Sequence, residues 1–426
     1  MRQYSILALT KWTVLLLGLF VISFSSCKQE EIIPMSVEEE LALEENETLL
    51  EKKYIVVFND DFISSSKRSG KVFTDRGAKA NFSETHRAEA TPKIEKFVKE
   101  NLIDQERVTD IYTAAFTGFA AELTKEEADA LENNPNVKGI EQDRVIKLDF
   151  VTEKGGDMDA REFDRVQFTS CGVVRAGGPG TGPTNKWIWI IDTGLDLNHP
   201  DLNVQTAAPY ARSFAGGTAQ DCNGHGSHVA GLAAAKNNSI GVVGVSAGTK
   251  VVPVKVFPGC SGSTTLTRIL NGINHVALYD ISGDVANLSL GGYYGLFCSS
   301  FSSYITAIAG LANNGTRVAI AAGNSSANAA FYQPACVNMS NVYTVAAMNC
   351  SNVFASSYSN YNMNPVDYIA AGTNLYSCNW NGSYTLKTGT SMAAPIVAGI
   401  LHARQAAPAV SGFTLFNGEF YPRARR

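Results

Sequence analysis

Four polar residues stand at the ends of short apolar runs, and together their types could perform acyl transfer. Asp192 follows the run 187–191 and precedes Thr193 and Gly194. His225 lies in NGHGSH (223–228), Asn324 closes AIAAGN (319–324), and Ser391 sits in GTSMAAP (389–395). A serine hydroxyl is a weak nucleophile at neutral pH, so an imidazole must take its proton. A buried carboxylate must then hold that imidazole in one tautomer, and donors must meet the oxyanion as it forms. Asp192, His225 and Ser391 supply the first three roles. Asn324 offers an amide N–H, and Ser391, at a helix start, offers its own backbone N–H. Glycines and alanines beside each residue let backbone approach a substrate closely.

Each residue also has a plainer reading. Asp-Thr-Gly is a common turn, and Gly-Asn after a strand is often only a loop. Thr390 and Ser391 before an apolar helix suit an N-cap. His225 and His228 are three apart and suit a zinc pair, but no third ligand and no His-Glu-x-x-His accompany them. Taken singly, the plain readings are as good. The joint order Asp, His, Asn, Ser at successive strand ends and helix starts is hard to obtain by chance.

The elements that must carry these residues alternate. The runs 187–191, 251–257, 285–290, 318–322, 342–347 and 368–370 are short and apolar throughout, as in strands buried on both faces. Helical spacing falls between them at 225–236, 264–280, 302–314 and 392–404. This predicts an α/β fold with a doubly wound, mostly parallel sheet, whose ligands bind beyond the carboxyl ends of the strands. Upstream, 51–148 predicts a small α+β unit. It has strands at 54–58, 108–112, 116–123 and 137–141, a helix over 86–101, and a helix after the N-cap Thr124. No nucleophile and base meet there.

Charge divides the chain of 426 residues in the same places. Residues 28–150 hold 17 basic and 27 acidic groups, against 16 and 13 in residues 151–426. Two or three folding units follow, the last large enough for a sizeable core. A net charge of −5 without a basic block argues against nucleic-acid binding. Residues 28–50 read as an acidic linker unable to order itself alone. Residues 1–27 combine Arg2 and Lys11 with an apolar run over 12–24 too short to span a bilayer comfortably. The run ends at Ser25-Ser26-Cys27, which is similar to a bacterial lipoprotein signal with Cys27 acylated. An ordinary secretory signal is the alternative, and export follows from either.

The chain resembles the subtilisin-like serine proteases, nearest the proteinase K and aqualysin branch. The motifs that carry the resemblance are IIDTGLDLNHPDL (190–202), DCNGHGSHVAG (221–231), VPVKVFPGCSGSTT (252–265), NLSLGG (287–292), AIAAGNSSANA (319–329) and GTSMAAPIVAG (389–399). The chain order Asp, His, Ser is that of the subtilisin triad. The resemblance assigns Asp192, His225 and Ser391 as triad and Asn324 as oxyanion donor, with His199 and His228 structural. Ile396 departs from the usual His and is expected to change packing only.

The resemblance also implies that 51–148 is an inhibitor propeptide that templates folding, lays its end through the active site, and is cut between Lys147 and Arg165. The peptidase domain would then span 150–426. Ser289-Leu290-Gly291 and Ser261-Gly262-Ser263 would flank a substrate peptide as added strands. Ala321 and Gly323 would line the pocket for the residue before the cut, which favours a large apolar side chain and otherwise broad specificity.

Cys222 and Cys260 match a disulfide of the aqualysin branch, and the other five cysteines beyond Cys27 cannot all pair. Asp367 matches a structural calcium position; catalysis itself needs no cofactor. The expected partners are polypeptide substrates and the propeptide, with a membrane reached only through a lipid on Cys27. A monomer is expected, periplasmic, outer-membrane associated or extracellular. Autoprocessing would free the protease from any anchor. The 35 residues after Ser391 leave no room for an appended domain. An inactive scaffold that kept the fold is the competing non-enzymatic reading.

Overall fold

The computed structural model describes residues 49–63, 71–149, 151, 166–295, 298 and 301–426. The signal sequence, Cys27, most of the linker and residues 152–165 lie outside them.

The first part is a sheet backed by two helices. β1 (Leu49–Phe58) lies between β3 (Gly118–Glu122) and β4 (Val137–Lys147), with β2 (Val108–Tyr112) outside β3; all pairs are antiparallel. Val56, Phe58, Ile94, Phe97, Phe119 and Leu131 close a core between this sheet and helices α1 (Arg76–Glu100) and α2 (Lys125–Glu132). Thr124 caps α2 in a reciprocal box with Glu127. α1 begins ten residues before the predicted start. Its first turns bury Lys79, Ser83 and His86, so no apolar stripe announces them.

The second part is the expected doubly wound sheet. β5 (Ile188–Asp192) pairs in parallel with β6 (Lys250–Lys255) on one side and β8 (Val285–Leu288) on the other. β9 (Arg317–Ala321), β10 (Val342–Met348) and β11 (Val366–Ala371) extend it in parallel beyond β8. Strand order therefore reverses between β5 and β8, the crevice where such sheets bind ligands. Alternate strand residues face opposite layers. Ile188 and Ile190 pack with α3 (His225–Ala234) and α6 (Thr390–Arg404), while Trp189 and Ile191 pack with α4 (Leu266–Tyr279) and α5 (Ser303–Asn313).

Among the described residues, the elements outside the predicted ones include a strand and two hairpins. The strand β7 (Ser263–Thr265) joins β4 as the fifth strand of the first sheet. A hairpin of β12 (Leu375–Cys378) and β13 (Tyr384–Lys387) lies beside α3. A second hairpin, β14 (Ala409–Phe416) and β15 (Glu419–Arg425), extends the large sheet past β11.

The two parts meet on α4 and α5. Arg76 donates to both carboxylate oxygens of Asp284 at 2.6 and 2.7 Å and stacks 3.5 Å over Trp187. Lys79 pairs with the buried Asp280 at 3.2 Å. At the helix starts, Glu141 accepts the backbone N–H of Ser303 at 2.8 Å and Asp143 that of Thr267 at 3.1 Å.

Candidate active site

β5 delivers Asp192 to the carboxyl edge of the sheet, fully buried. Its Oδ1 accepts the N–H of Thr193 at 2.7 Å and lies 2.8 Å from Nδ1 of His225. A carboxylate can only accept, so Nδ1 carries the proton and Nε2 is the basic nitrogen.

His225 opens α3, and Asp221 fixes that helix start. The buried carboxylate of Asp221 accepts the N–H groups of Asn223, Gly224 and Ser227 at 2.9, 3.0 and 3.0 Å, and the hydroxyl of Ser227 at 2.6 Å. Thr193 donates to Asp221 at 3.0 Å and accepts from the N–H of Gly226 at 2.9 Å, which ties the strand of Asp192 to the helix of His225. Gly224 has φ +90°, and a Cβ there would stand 2.0 Å from Oδ1 of Asn379, so a side chain is excluded twice. Lys255 extends its buried ammonium to the carbonyls of Thr193 and Gly259. Burial pulls its pKa down, against Asp221 and Asp192, which raise it.

Ser391 is the second residue of α6 and is buried. Its Oγ donates to the carbonyl of Ser289 at 3.2 Å, while Ser289 Oγ donates to the carbonyl of Ser391 at 2.8 Å. The Ser289 side chain thus secures α6, and Leu290 and Gly291 border the cleft. Asn324 follows β9. Its Oδ1 accepts both the N–H and the hydroxyl of Thr390, at 2.7 and 2.9 Å, and this turns Nδ2 into the cleft. There Nδ2 donates to the carbonyl of Asp149 at 2.9 Å.

The end of the first part occupies the cleft. Val145, Ile146 and Lys147 pair antiparallel with Thr265, Thr264 and Ser263. Leu148 N–H then donates to the carbonyl of Gly262 at 2.7 Å. Ser261 stays at the exposed turn of that edge. Beyond the tail lies a cavity of about 170 Å³, bordered by Leu290, Gly291, Ala321, Gly323 and Tyr332.

The other predicted residues fall outside the cleft chemistry. His228 Nε2 donates to the carbonyls of Leu375 and Thr385 at 3.0 and 3.1 Å, and burial holds its pKa well below the ordinary value. The imidazoles of His225 and His228 therefore serve different partners, and the geometry offers no zinc pair. His199 Nε2 donates to the carbonyl of Ser383 at 3.0 Å. Ile396 is buried in the core between α3 and α6.

Cys222 and Cys260 are joined, as are Cys171 with Cys350 and Cys298 with Cys336. The Cys222–Cys260 bond fastens the His225 loop to the edge that carries the tail. Cys378 is buried without a disulfide, and burial pushes its thiol well above the ordinary value.

Asp367, the residue matched to a calcium position, is engaged within the fold. Its Oδ2 accepts the N–H of Thr344 at 2.8 Å, and burial lifts its pKa to about 6. Among the described residues no group of three or more His, Cys, Asp or Glu gathers for a metal.

Sequence reasoning missed Asp221, Thr193 and Thr390 as holders of the site. All three lie inside the quoted motifs, but the bonds of Thr193 to Asp221 and of Thr390 to Asn324 join residues 28 and 66 apart.

Comparison with known proteins follows the same division. The subtilase family profile matches residues 185–415, and the peptidase inhibitor I9 profile matches residues 53–149. "Alkaline serine exoprotease A" of Vibrio alginolyticus is 31% identical over 323 residues, 74% of this chain and 57% of its own length. "Cuticle-degrading protease" of Metarhizium anisopliae is 34% identical over 295 residues, 68% of this chain and 71% of its own length. A solved structure titled "Crystal structure of a cold adapted subtilisin-like serine proteinase" is 31% identical, covering 53% of this chain and 77% of its own, with a TM-score of 0.45.

Proposed function

Because the chain belongs to the subtilase family of serine proteases, we propose that it is an exported endopeptidase made as a zymogen, with residues 51–148 as propeptide and 150–426 as peptidase domain. The observation that carries this reading is the hydrogen bond from Asn324 Nδ2 to the carbonyl of Asp149, made by a peptide strand lying in the cleft. An oxyanion donor on a backbone carbonyl is what a peptide-bond hydrolase requires.

In this reading Ser391 Oγ attacks the substrate carbonyl while His225 Nε2 takes its proton. Asp192 holds Nδ1–H and stabilises the imidazolium as it forms. Negative charge developing on the carbonyl oxygen is met by Asn324 Nδ2 and the backbone N–H of Ser391. His225 then protonates the leaving amine, and water releases the acyl group by the reverse proton path. Substrates would bind as the tail does, by main-chain pairing along 261–265, which reads little sequence. The cavity favours a large apolar residue before the cut, since roughly 150 Å³ is enough to hold a benzene ring.

Export is supported by the amino-terminal sequence and by a relative named "Extracellular serine proteinase". A lipid on Cys27 would leave with the propeptide. Asp367 is the position at which a structural calcium would be sought first. The test is Ser391→Ala: the full-length precursor should persist and peptide hydrolysis should fall by on the order of 10⁶ in kcat. Normal turnover in that variant would end the assignment.

A further inference from the structure

Resting on the protease reading above, in which residues 51–148 are cut away, we propose that the mature enzyme carries a second binding site, at the edge of the sheet opposite the cleft, for a basic helical segment of another polypeptide. In the precursor the first turn of α1 fills it. The guanidinium of Arg76 donates to both oxygens of Asp284 at 2.6 and 2.7 Å and to the carbonyls of Tyr279 and Asn185 at 3.1 and 3.3 Å. The Trp187 ring lies 3.5 Å from it. A planar fork met by a carboxylate and stacked on an indole is a guanidinium site. One helical turn on, Lys79 reaches Asp280 at 3.2 Å. Arg and Lys three apart on a helix are therefore the ligand that this surface fits.

Every acceptor named belongs to the part that stays, and that part holds the site in shape. Asp284 accepts the N–H of Trp187 and the indole N–H of Trp189, each at 2.9 Å, and the N–H of Ile281 at 3.2 Å. Asp280 accepts the hydroxyl of Thr316 at 2.7 Å and the amide of Asn314 at 3.2 Å. Both carboxylates are thus positioned from within the peptidase part, which lowers the cost of binding a new partner. Both are fully buried in the precursor, and losing Arg76 and Lys79 leaves them without those cations. Lys250 stands 5.2 Å from the Trp187 ring, but an ammonium cannot span both oxygens of Asp284, so the forked place stays with a guanidinium. Asn185 and Trp187 precede β5 and Asp284 precedes β8, whereas Asp192 and Ser289 lie at the far ends of those strands. The five residues of β5 alone put roughly 13 Å between the two edges. A chain held here leaves the cleft open, and its own peptide bonds gain effective concentration at Ser391.

The experiment uses processed enzyme inactivated at Ser391 with a fluorophosphonate, so that no probe is cut. The probes are dye-labelled, alanine-rich helical peptides of about 20 residues, carrying Arg-x-x-Lys, Lys-x-x-Lys or Gln-x-x-Gln, and binding is read by fluorescence anisotropy. The Arg-x-x-Lys peptide should bind saturably and more weakly as salt rises. The Gln-x-x-Gln peptide should bind at least roughly tenfold more weakly, with Lys-x-x-Lys between them. Enzyme carrying Asp284→Asn should lose the preference for Arg-x-x-Lys while still reacting with the fluorophosphonate. Should that variant fail to fold, the three peptides on wild type decide alone. Equal binding of the three, or an undiminished preference in Asp284→Asn, overturns the site while the Ser391 adduct leaves the protease reading standing. A full-length chain that neither processes nor labels at Ser391 overturns that reading, and the vacated site with it.

Discussion

Thr390 grips the amide of Asn324 twice, through its N–H at 2.7 Å and its hydroxyl at 2.9 Å, and leaves the amide only one orientation that donates into the cleft. Residue 390 precedes the proposed nucleophile, so one segment carries both Ser391 and the group that aims the proposed oxyanion donor. Asn324→Leu should lower kcat by about 10²–10³ with little change in KM. Thr390→Val, which keeps the N–H bond and loses the hydroxyl, should lower kcat by roughly tenfold, and Thr390→Ser should restore it. Steady-state kinetics on a peptide substrate separates these. A loss confined to KM would contradict the aiming role.

Arg76 gives a second handle on the account. Its guanidinium spans both oxygens of Asp284, whose carboxylate also accepts the N–H of Trp187 and the indole N–H of Trp189, each at 2.9 Å. Removing one partner of such a desolvated pair costs about 2–5 kcal/mol. In the Ser391→Ala precursor, Arg76→Ala should loosen residues 49–149 from the rest, read as hydrogen exchange in β1 and β3 faster by roughly a hundredfold. Arg76→Lys should not rescue it, because an ammonium cannot span both oxygens. Unchanged exchange would show that the pair does not hold the two parts together.

Asp367 predicts a pH effect. Its carboxyl is raised from 3.8 to about 6 by burial, so the folded state holds a proton that the unfolded state has released over that window. Stability contributed by the protonated form is therefore present below about 4 and lost as pH rises through about 6, with a ceiling of about 3 kcal/mol. Asp367→Asn keeps an acceptor for Thr344 and removes the titration. The variant should melt higher than wild type at pH 7 and no higher at pH 4. A variant that melts lower at pH 7 only when calcium is present would instead restore Asp367 as a calcium ligand.

Much of this was legible before the structure. β5, β8, β9 and β10 are apolar on both faces, and buried parallel strands leave that mark in a single sequence. Asp192, His225, Asn324 and Ser391 each sit in a local motif, so their types and neighbours could be read without knowing contacts. The start of α1 could not be read, because Lys79, Ser83 and His86 are buried against another part of the chain rather than on an apolar stripe. The hairpin of β14 and β15 was missed although Asn417-Gly418, with φ of 47° and 79°, is a strong turn signal between its strands. Pairings such as Cys171 with Cys350, 179 residues apart, and the grip of Thr390 on Asn324 depend on packing that no local pattern records.

The most direct measurement of the central claim is active-site labelling of the processed protein with a fluorophosphonate, followed by peptide mapping. One adduct per chain is expected, on Ser391, absent from His225→Ala and from protein denatured before labelling. Peptide hydrolysis without an adduct on Ser391, or an adduct that forms equally well in His225→Ala, would contradict the account.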